Sequence, residues 1–184
     1  MCGGLDAKQN GAMKPNERDR ETPYVPAAIA LRRLDLERAR AIVDGTAGDD
    51  AMWAEDYPMP GDVEAAQLLL RRAGDGEDEG PFGMYEIIEI ATGAVIGGVG
   101  FHRPPNENGL VEIGYGVVPT RWDQGFGTEA VEEAVELAQR NGARVVRART
   151  EPTNVGSRRV LEKAGFSFLA LDEEFATYEI DISL

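Results

Sequence analysis

Between Leu110 and Arg140 the chain passes from a strand pattern, LVEIGYGVV, through the loop PTRWDQGFGTEA into a long one-sided helix. No other stretch limits the fold as strongly. In the helical part Ala130, Val131, Ala134, Leu137 and Ala138 share one face. Glu129, Glu132, Glu133 and Glu136 share the other, and Asn141 and Gly142 end the run. A strand feeding such a helix needs a sheet for the helix to cover, so helices and strands must share one core. The loop adds a chemical constraint. A helix start offers unpaired N–H groups and about half a positive charge, and Gly125 and Gly127 let a ligand approach the backbone closely. Thr128 adds a hydroxyl in the first turn. A dinucleotide fingerprint needs a third glycine and a P-loop needs Gly-Lys-Ser/Thr, and neither is present. The two glycines alone therefore leave an anion cradle and a plain connection both open.

The flanking patterns complete the architecture. Ile29 opens a strand, IALRRL, and Asp35 caps a helix with Leu36, Ala39, Ile42 and Val43 at helical spacing, stopped by Gly45. The segment WAEDYPMPG, Trp53 to Gly61, is too rich in aromatics and proline for a solvated linker and is expected to line something. A second helix runs from Gly61 or Asp62 to Arg72, with Val63, Ala66, Leu69 and Leu70 on one side. FGMYEIIEI from Phe82 and VIGGVGF from Val95 form a hairpin around ATGA, and LVEIGYGVV extends it to a meander. ARVVRART from Ala143 is a strand, and NVGSRRVLEKAG is a helix capped by Asn154 and stopped at Gly165. FSFLAL and ATYEIDIS close the chain as two strands. The order β-α-α-β-β-β-α-β-α-β-β predicts an α+β fold with about seven strands in a mixed sheet and about four helices. Residues 1–22, polar and without period, read as a disordered tail, and 23–184 as one domain.

Composition excludes several functions. A chain of 184 residues can bury a core of ordinary size, and no apolar run approaches the roughly 20 residues of a membrane span. No membrane role is expected, and the start has no export signal, so the protein is expected to be cytoplasmic. Cys2 is the only cysteine and reads as a mobile thiol, which excludes an internal disulfide. A net charge of -14 argues against nucleic acid and fits a cationic partner, although it also serves solubility alone. The acidic loop GDGEDEG lacks the spacing of a calcium loop, and His102 has no companion ligands, so no metal is expected.

The loop gains meaning from what surrounds it. It follows EIGYGVVP, and Asn154, Ser157 and Ala-Gly-Phe at 164–166 come after it. This arrangement resembles the GNAT superfamily of acyl-CoA-dependent N-acyltransferases, and most of all the subgroup that holds ribosomal-protein N-terminal acetyltransferases. It is detailed over 95–168 and extends by element order over 26–182. The resemblance implies a mostly antiparallel sheet splayed between strands 4 and 5 with helices on both faces. It also implies acetyl-CoA as cosubstrate and an amine-bearing acceptor, either a peptide N-terminus or a small cationic amine; dimerisation stays open. Gln124, Gly125, Phe126, Gly127 and Thr128 would hold the CoA pyrophosphate, with Arg121 and Trp122 beside them. Val117 and Val118, splayed from the neighbouring strand by a bulge, would pair with the pantetheine amides. The Val117 N–H would polarise the thioester carbonyl, and Asn154 and Ser157 would lie near the sulfur.

The chemistry sets two further needs. An alkyl ammonium has a pKa of about 10.4, so a base must remove its proton, and Glu112 is the candidate unless it is only an exposed strand residue. The departing thiolate needs a donor, and Ser157 could serve unless it merely starts a helix. Trp53, Asp56 and Tyr57 fall where relatives place an acceptor-side loop, or are core and surface aromatics. Two departures stand out. Asp123 replaces a frequent glycine beside the pyrophosphate, and Leu161 stands where many members carry a tyrosine acid, which closes the tyrosine route. These departures also motivate the alternative, a CoA-binding sensor without turnover. A nucleotide-binding domain is disfavoured by the missing lysine.

Overall fold

The computed structural model describes residues 28–47 and 52–183. The expected tail and Cys2 lie outside them. Seven strands and four helices follow in the expected order: β1 Ile29–Arg33, α1 Leu36–Asp44, α2 Pro60–Gly74, β2 Met84–Glu89, β3 Val95–Phe101, β4 Leu110–Val117, α3 Phe126–Arg140, β5 Val145–Thr150, α4 Val155–Lys163, β6 Ser167–Leu171 and β7 Ala176–Asp181. Asp35 caps α1 by accepting from the Arg38 N–H, and Gly45 ends it at φ 64°, where only a residue without Cβ sits freely. α2 starts at Pro60, one residue before the expected position. Proline lacks an N–H that a first-turn residue does not use. β2 starts at Met84 because Gly80–Phe82 form a 3-10 turn, and the Phe82 ring meets Phe101 edge-on at 5.3 Å. β5 starts at Val145, two residues later than expected.

One sheet runs in the order β1-β2-β3-β4-β5-β7-β6. All neighbours are antiparallel except β4 and β5, which α3 connects as a crossover. α3 packs over β1, β3 and β4 and against α4, and α1 packs on α2. Glu129 in the first turn of α3 accepts from the N–H groups of Ala28 and Ile29, at 2.7 and 3.3 Å, which ties this helix to the edge strand. The alternation of β4 decides its two faces. Val111 and Ile113 are buried, whereas Glu112 and Gly114 face the other way.

The sheet is open at one place. β4 and β5 pair only from Leu110↔Val145 to Ile113↔Ala148, although β4 continues to Val117 and β5 to Thr150. Beyond that point β5 stays with β7, up to Thr150↔Ala176, and β4 stays with β3, up to Val117↔Gly97. The bulge expected to cause the splay is not there. The β3–β4 register is unbroken, and register shifts fall at Ile87/Ile88 and Phe168/Ala170 instead. Each strand simply follows its antiparallel partner. No helix among the described residues is long and apolar enough to cross a membrane.

Candidate active site

Hydrogen-bond phase decides which backbone groups enter the gap. His102 donates to the Glu112 carbonyl at 2.9 Å and Val118 donates to the Ile96 carbonyl at 2.8 Å, so even-numbered residues of this strand engage β3. Odd-numbered residues point the other way. Val111 and Ile113 meet β5, and past the split the N–H and C=O groups of Tyr115 and Val117 face the open space. Val118 is therefore corrected as a pantetheine partner. It is fully buried, its N–H bonds Ile96, and its carbonyl accepts from Arg121. The Val117 N–H points away from β3, with no partner strand beside it among the described residues, but its carbonyl already accepts from Trp122 Nε1 at 2.6 Å. The second open position is Tyr115, which sequence reasoning did not single out.

The glycine loop closes the upper end of this gap. Pro119–Arg121 make a 3-10 turn, and α3 starts after Gly125 at φ 92° with no side chain capping it. The first N–H groups of the helix, from Phe126 to Thr128, have no intrahelical partners and suit an anion. Gln124 Nε2 donates to Thr120 O, and Arg121 binds Glu89 Oε2 through Nε and Nη2, both at 3.2 Å. The Arg121 guanidinium thus fastens the loop to β2. Asp123 now has an explanation. It adopts φ 58°, the left-handed region, and is exposed. Glycine suits that conformation best, and aspartate tolerates it better than most residues.

Across the gap, α4 presents Asn154 and Ser157. Asn154 Oδ1 accepts from the Ser157 N–H at 2.9 Å as the helix cap, and Ser157 Oγ lies 2.8 Å from the Tyr115 hydroxyl. Leu161 is fully buried core, but a tyrosine from β4 reaches the same helix. Burial pushes the Tyr115 hydroxyl up to about 12, against the opposing effect of the Ser157 hydrogen bond, so it stays protonated at neutral pH.

On the opposite face four glycines form a floor without side chains. Gly98 pairs with Gly116 and Gly100 with Gly114, and Glu86 and Arg32 continue the first row. A Cβ on Gly98 would come 2.7 Å from Asp62 Oδ1, and one on Gly116 would come 3.1 Å from Met59 Cε. Above the floor lies a cavity of about 780 Å³, whose walls include Tyr57, Met59, Asp62, Glu86 and His102. Asp62 Oδ2 accepts from the Met59 N–H at 2.9 Å. Burial pushes its carboxyl up to about 6, against that hydrogen bond and with help from the Glu86 charge. Glu86 itself is neutralised by Arg32 at 2.8 Å and Arg38 at 3.6 Å. Of the three acceptor-side candidates, Tyr57 is buried and lines the cavity, and Trp53 supports it edge-on at 5.4 Å. Asp56 is exposed and outside the lining.

Glu112 sits where the sheet divides. Its Oε1 accepts from Arg149 Nε at 2.9 Å and lies 3.2 Å from His102 Nδ1. Arg149 belongs to the part of β5 that has left β4, so this ion pair spans the split. The floor glycines and Asp62 had a sequence signal: Gly-x-Gly repeats at period two in both VIGGVGF and EIGYGVV. Glycine inside a strand marks a close approach by another group.

The open β4–β5 gap thus lies beside a cavity on the glycine face of the sheet. Residues 29–167 match the acetyltransferase (GNAT) domain family. The chain belongs to that family and is an acyl-CoA-dependent N-acetyltransferase with acetyl-CoA as cosubstrate. It is similar to the uncharacterised N-acetyltransferase p20 of Bacillus licheniformis, with 29% identity over 79% of this chain and 82% of that protein. In fold it is similar to the ribosomal-protein-S5-alanine acetyltransferase of Vibrio fischeri, with 13% identity, 86% of this chain and 95% of that chain covered, and a TM-score of 0.58. It is likewise similar to Mycobacterium smegmatis RimJ in complex with CoA-disulfide, with 19% identity, 83% and 81% covered, and a TM-score of 0.57. The open edge of β4 and the uncapped start of α3 fit such a donor. No cluster of metal-ligating side chains occurs among the described residues.

Proposed function

We propose that the protein acetylates a primary amine, on a small cationic molecule or a peptide N-terminus, by direct attack on bound acetyl-CoA. The observation that carries this reading is the pair of outward N–H groups on Tyr115 and Val117, which lie between the glycine loop and the glycine-floored cavity. Gln124 to Thr128 would hold the pyrophosphate on the start of α3, with Trp122 beside them. The pantetheine arm would then run along β4, meeting the Val117 N–H first and the Tyr115 N–H nearer the split. The donor that polarises the thioester carbonyl is thereby the Tyr115 N–H, two residues deeper than the sequence suggested.

The leaving sulfur would lie towards α4, where the hydroxyls of Tyr115 and Ser157 supply a hydrogen bond and a proton. Asn154 positions Ser157. The amine would enter from the cavity, with Tyr57 and Trp53 shaping its wall. Among the described residues no cysteine and no serine paired with a base lies between the two sites, which favours a ternary complex over a covalent enzyme intermediate. The test is thiol release from acetyl-CoA with a panel of peptide amino termini, polyamines and aminoglycosides. Acceptor-dependent release supports the reading; CoA binding without release across the panel would overturn it.

A further inference from the structure

Resting on the transfer reading above, we infer that Asp62 is the acceptor-side catalytic residue: it seats the ammonium group of the substrate over Gly98 and Gly116 and takes its proton. Three carboxylates, Asp62, Glu86 and Glu112, stand at or beside the floor and differ in what they are free to do; Glu86 is paired with Arg32 and Arg38. Glu112 is engaged by Arg149 and His102 on one oxygen and bridges the split. Asp62 uses Oδ2 for the Met59 N–H, whereas Oδ1 has no hydrogen-bond partner among the described residues and points at Gly98. Gly98 is paired with Gly116, the residue between the two open positions of β4. Adjacent strands are roughly 4.8 Å apart, so Oδ1 lies about one strand spacing from β4, and a donor paired on the outer edge of β4 would lie about one spacing further, a distance the amine of the acceptor has to span.

The surroundings of Asp62 explain its chemistry. From the loop it faces Tyr57 and Met59; from β2 it faces Glu86, whose charge Arg32 of β1 and Arg38 of α1 neutralise. Glu64, Arg71 and His102 share the cavity wall. The carboxylate is short of partners in a confined space, and its raised proton affinity suits a base that works near neutral pH. An ammonium supplies the missing partner. The step balances as follows. The ammonium gives one proton to Asp62, which later passes it to solvent. The free nitrogen pair then forms the C–N bond, the C–S bond breaks with its electron pair on sulfur, and the nitrogen's second proton is lost as sulfur gains one. The products are an amide, a thiol and one proton.

The probes are 1,4-diaminobutane and alanine amide, a mimic of a peptide N-terminus, each titrated against the CoA-loaded protein. At least one should bind, and Asp62→Asn should weaken it by about ten- to a hundredfold, the size expected for a charge-assisted hydrogen bond. Equal affinity in the two proteins, or no binding of either probe, would overturn the assignment. A second measurement needs no variant. The Asp62 carboxyl carbon, followed by NMR against pH, should titrate lower when the amine is present, and an unmoved midpoint counts equally against the idea. In turnover, the acidic limb of kcat should disappear in Asp62→Asn; a retained limb would remove Asp62 as the base. Bound amine with no acceptor-dependent thiol release from the native protein would sink the transfer reading instead, because binding and midpoint are scored separately.

Discussion

The Tyr115 hydroxyl stands 2.8 Å from Ser157 Oγ and 3.0 Å from the Ser157 carbonyl, and this contact joins β4 to α4 across the gap where β4 and β5 part. Tyr115 thus presents two groups to the gap, an outward N–H and a protonated side chain. Tyr115→Phe keeps the first and removes the second. It should lower kcat by about a hundredfold, the lower end of the range for general acid catalysis, with less effect on the KM for acetyl-CoA. Ser157→Ala should cost less, because Tyr115 retains the carbonyl of residue 157. Single-turnover rates of both variants check this.

Asp62 should reduce stability at the pH where it is useful. Its carboxyl is raised in the folded state from 3.8 to about 6, so the folded chain holds its proton more tightly than the unfolded chain. Stability should be greatest below the unfolded value, fall as pH rises between the two, and stay lower above pH 6. The difference is on the order of 3 kcal/mol. Asp62→Asn removes this dependence and still offers an oxygen to the Met59 N–H. The variant should therefore be more stable than the native protein at pH 8 and not at pH 4, by denaturant unfolding at both values. A variant equally stable or less stable at pH 8 would show that the carboxylate is not strained there.

Gly98→Ala tests the floor without replacing a charged residue. The new methyl would lie 2.7 Å from Asp62 Oδ1, which the Met59 hydrogen bond holds in place. Displacing that carboxylate should raise the KM for the amine severalfold or more and leave acetyl-CoA affinity nearly unchanged. Affinity for CoA by calorimetry beside amine kinetics separates the two effects.

Asp123→Gly should tighten CoA binding. The substitution relieves a left-handed conformation at φ 58° and removes a negative charge from the proposed pyrophosphate loop. For an exposed charge the gain should be about three- to tenfold and should shrink as salt rises, since exposed charges are screened beyond roughly 8 Å at physiological ionic strength. Titration at two salt concentrations reads this directly; a salt-independent gain would point to the backbone alone.

Glu112→Gln should leave the acidic midpoint of kcat in place, because the structure gives Glu112 to Arg149 and His102. Its main effect should be a loss of about 1 kcal/mol in stability, as for a modest, partly exposed ion pair. A midpoint that moves with Glu112→Gln would return the role of base to this residue.

Most of the fold was legible because its signals are local. The cap at Asp35, the stops at Gly45 and Gly165, and the face of α3 from Ala130 to Ala138 each depend on residues within a few positions of one another. Boundaries moved where a neighbour intervened: Phe82 left β2 to pack on Phe101, and Pro60 drew the start of α2 forward. The glycine loop was also legible, since strand, glycines and helix are consecutive. The exclusion of Val118 was not, because hydrogen-bond phase on β4 is fixed by pairing with β3, through the His102 N–H to Glu112 O and the Val118 N–H to Ile96 O.

Taken alone, the sequence determined the order of elements, the strand-loop-helix unit from Leu110 to Arg140 and the family to which that unit belongs. Tertiary structure alone decided which side chains meet. Tyr115 reaches Ser157 over 42 positions, Arg149 reaches Glu112 over 37, and Asp62 of α2 comes to rest over Gly98 of β3. The physical reason is that such contacts depend on sheet register and on where two strands stop pairing. Those properties belong to the closed core as a whole, and no local pattern of residues encodes them.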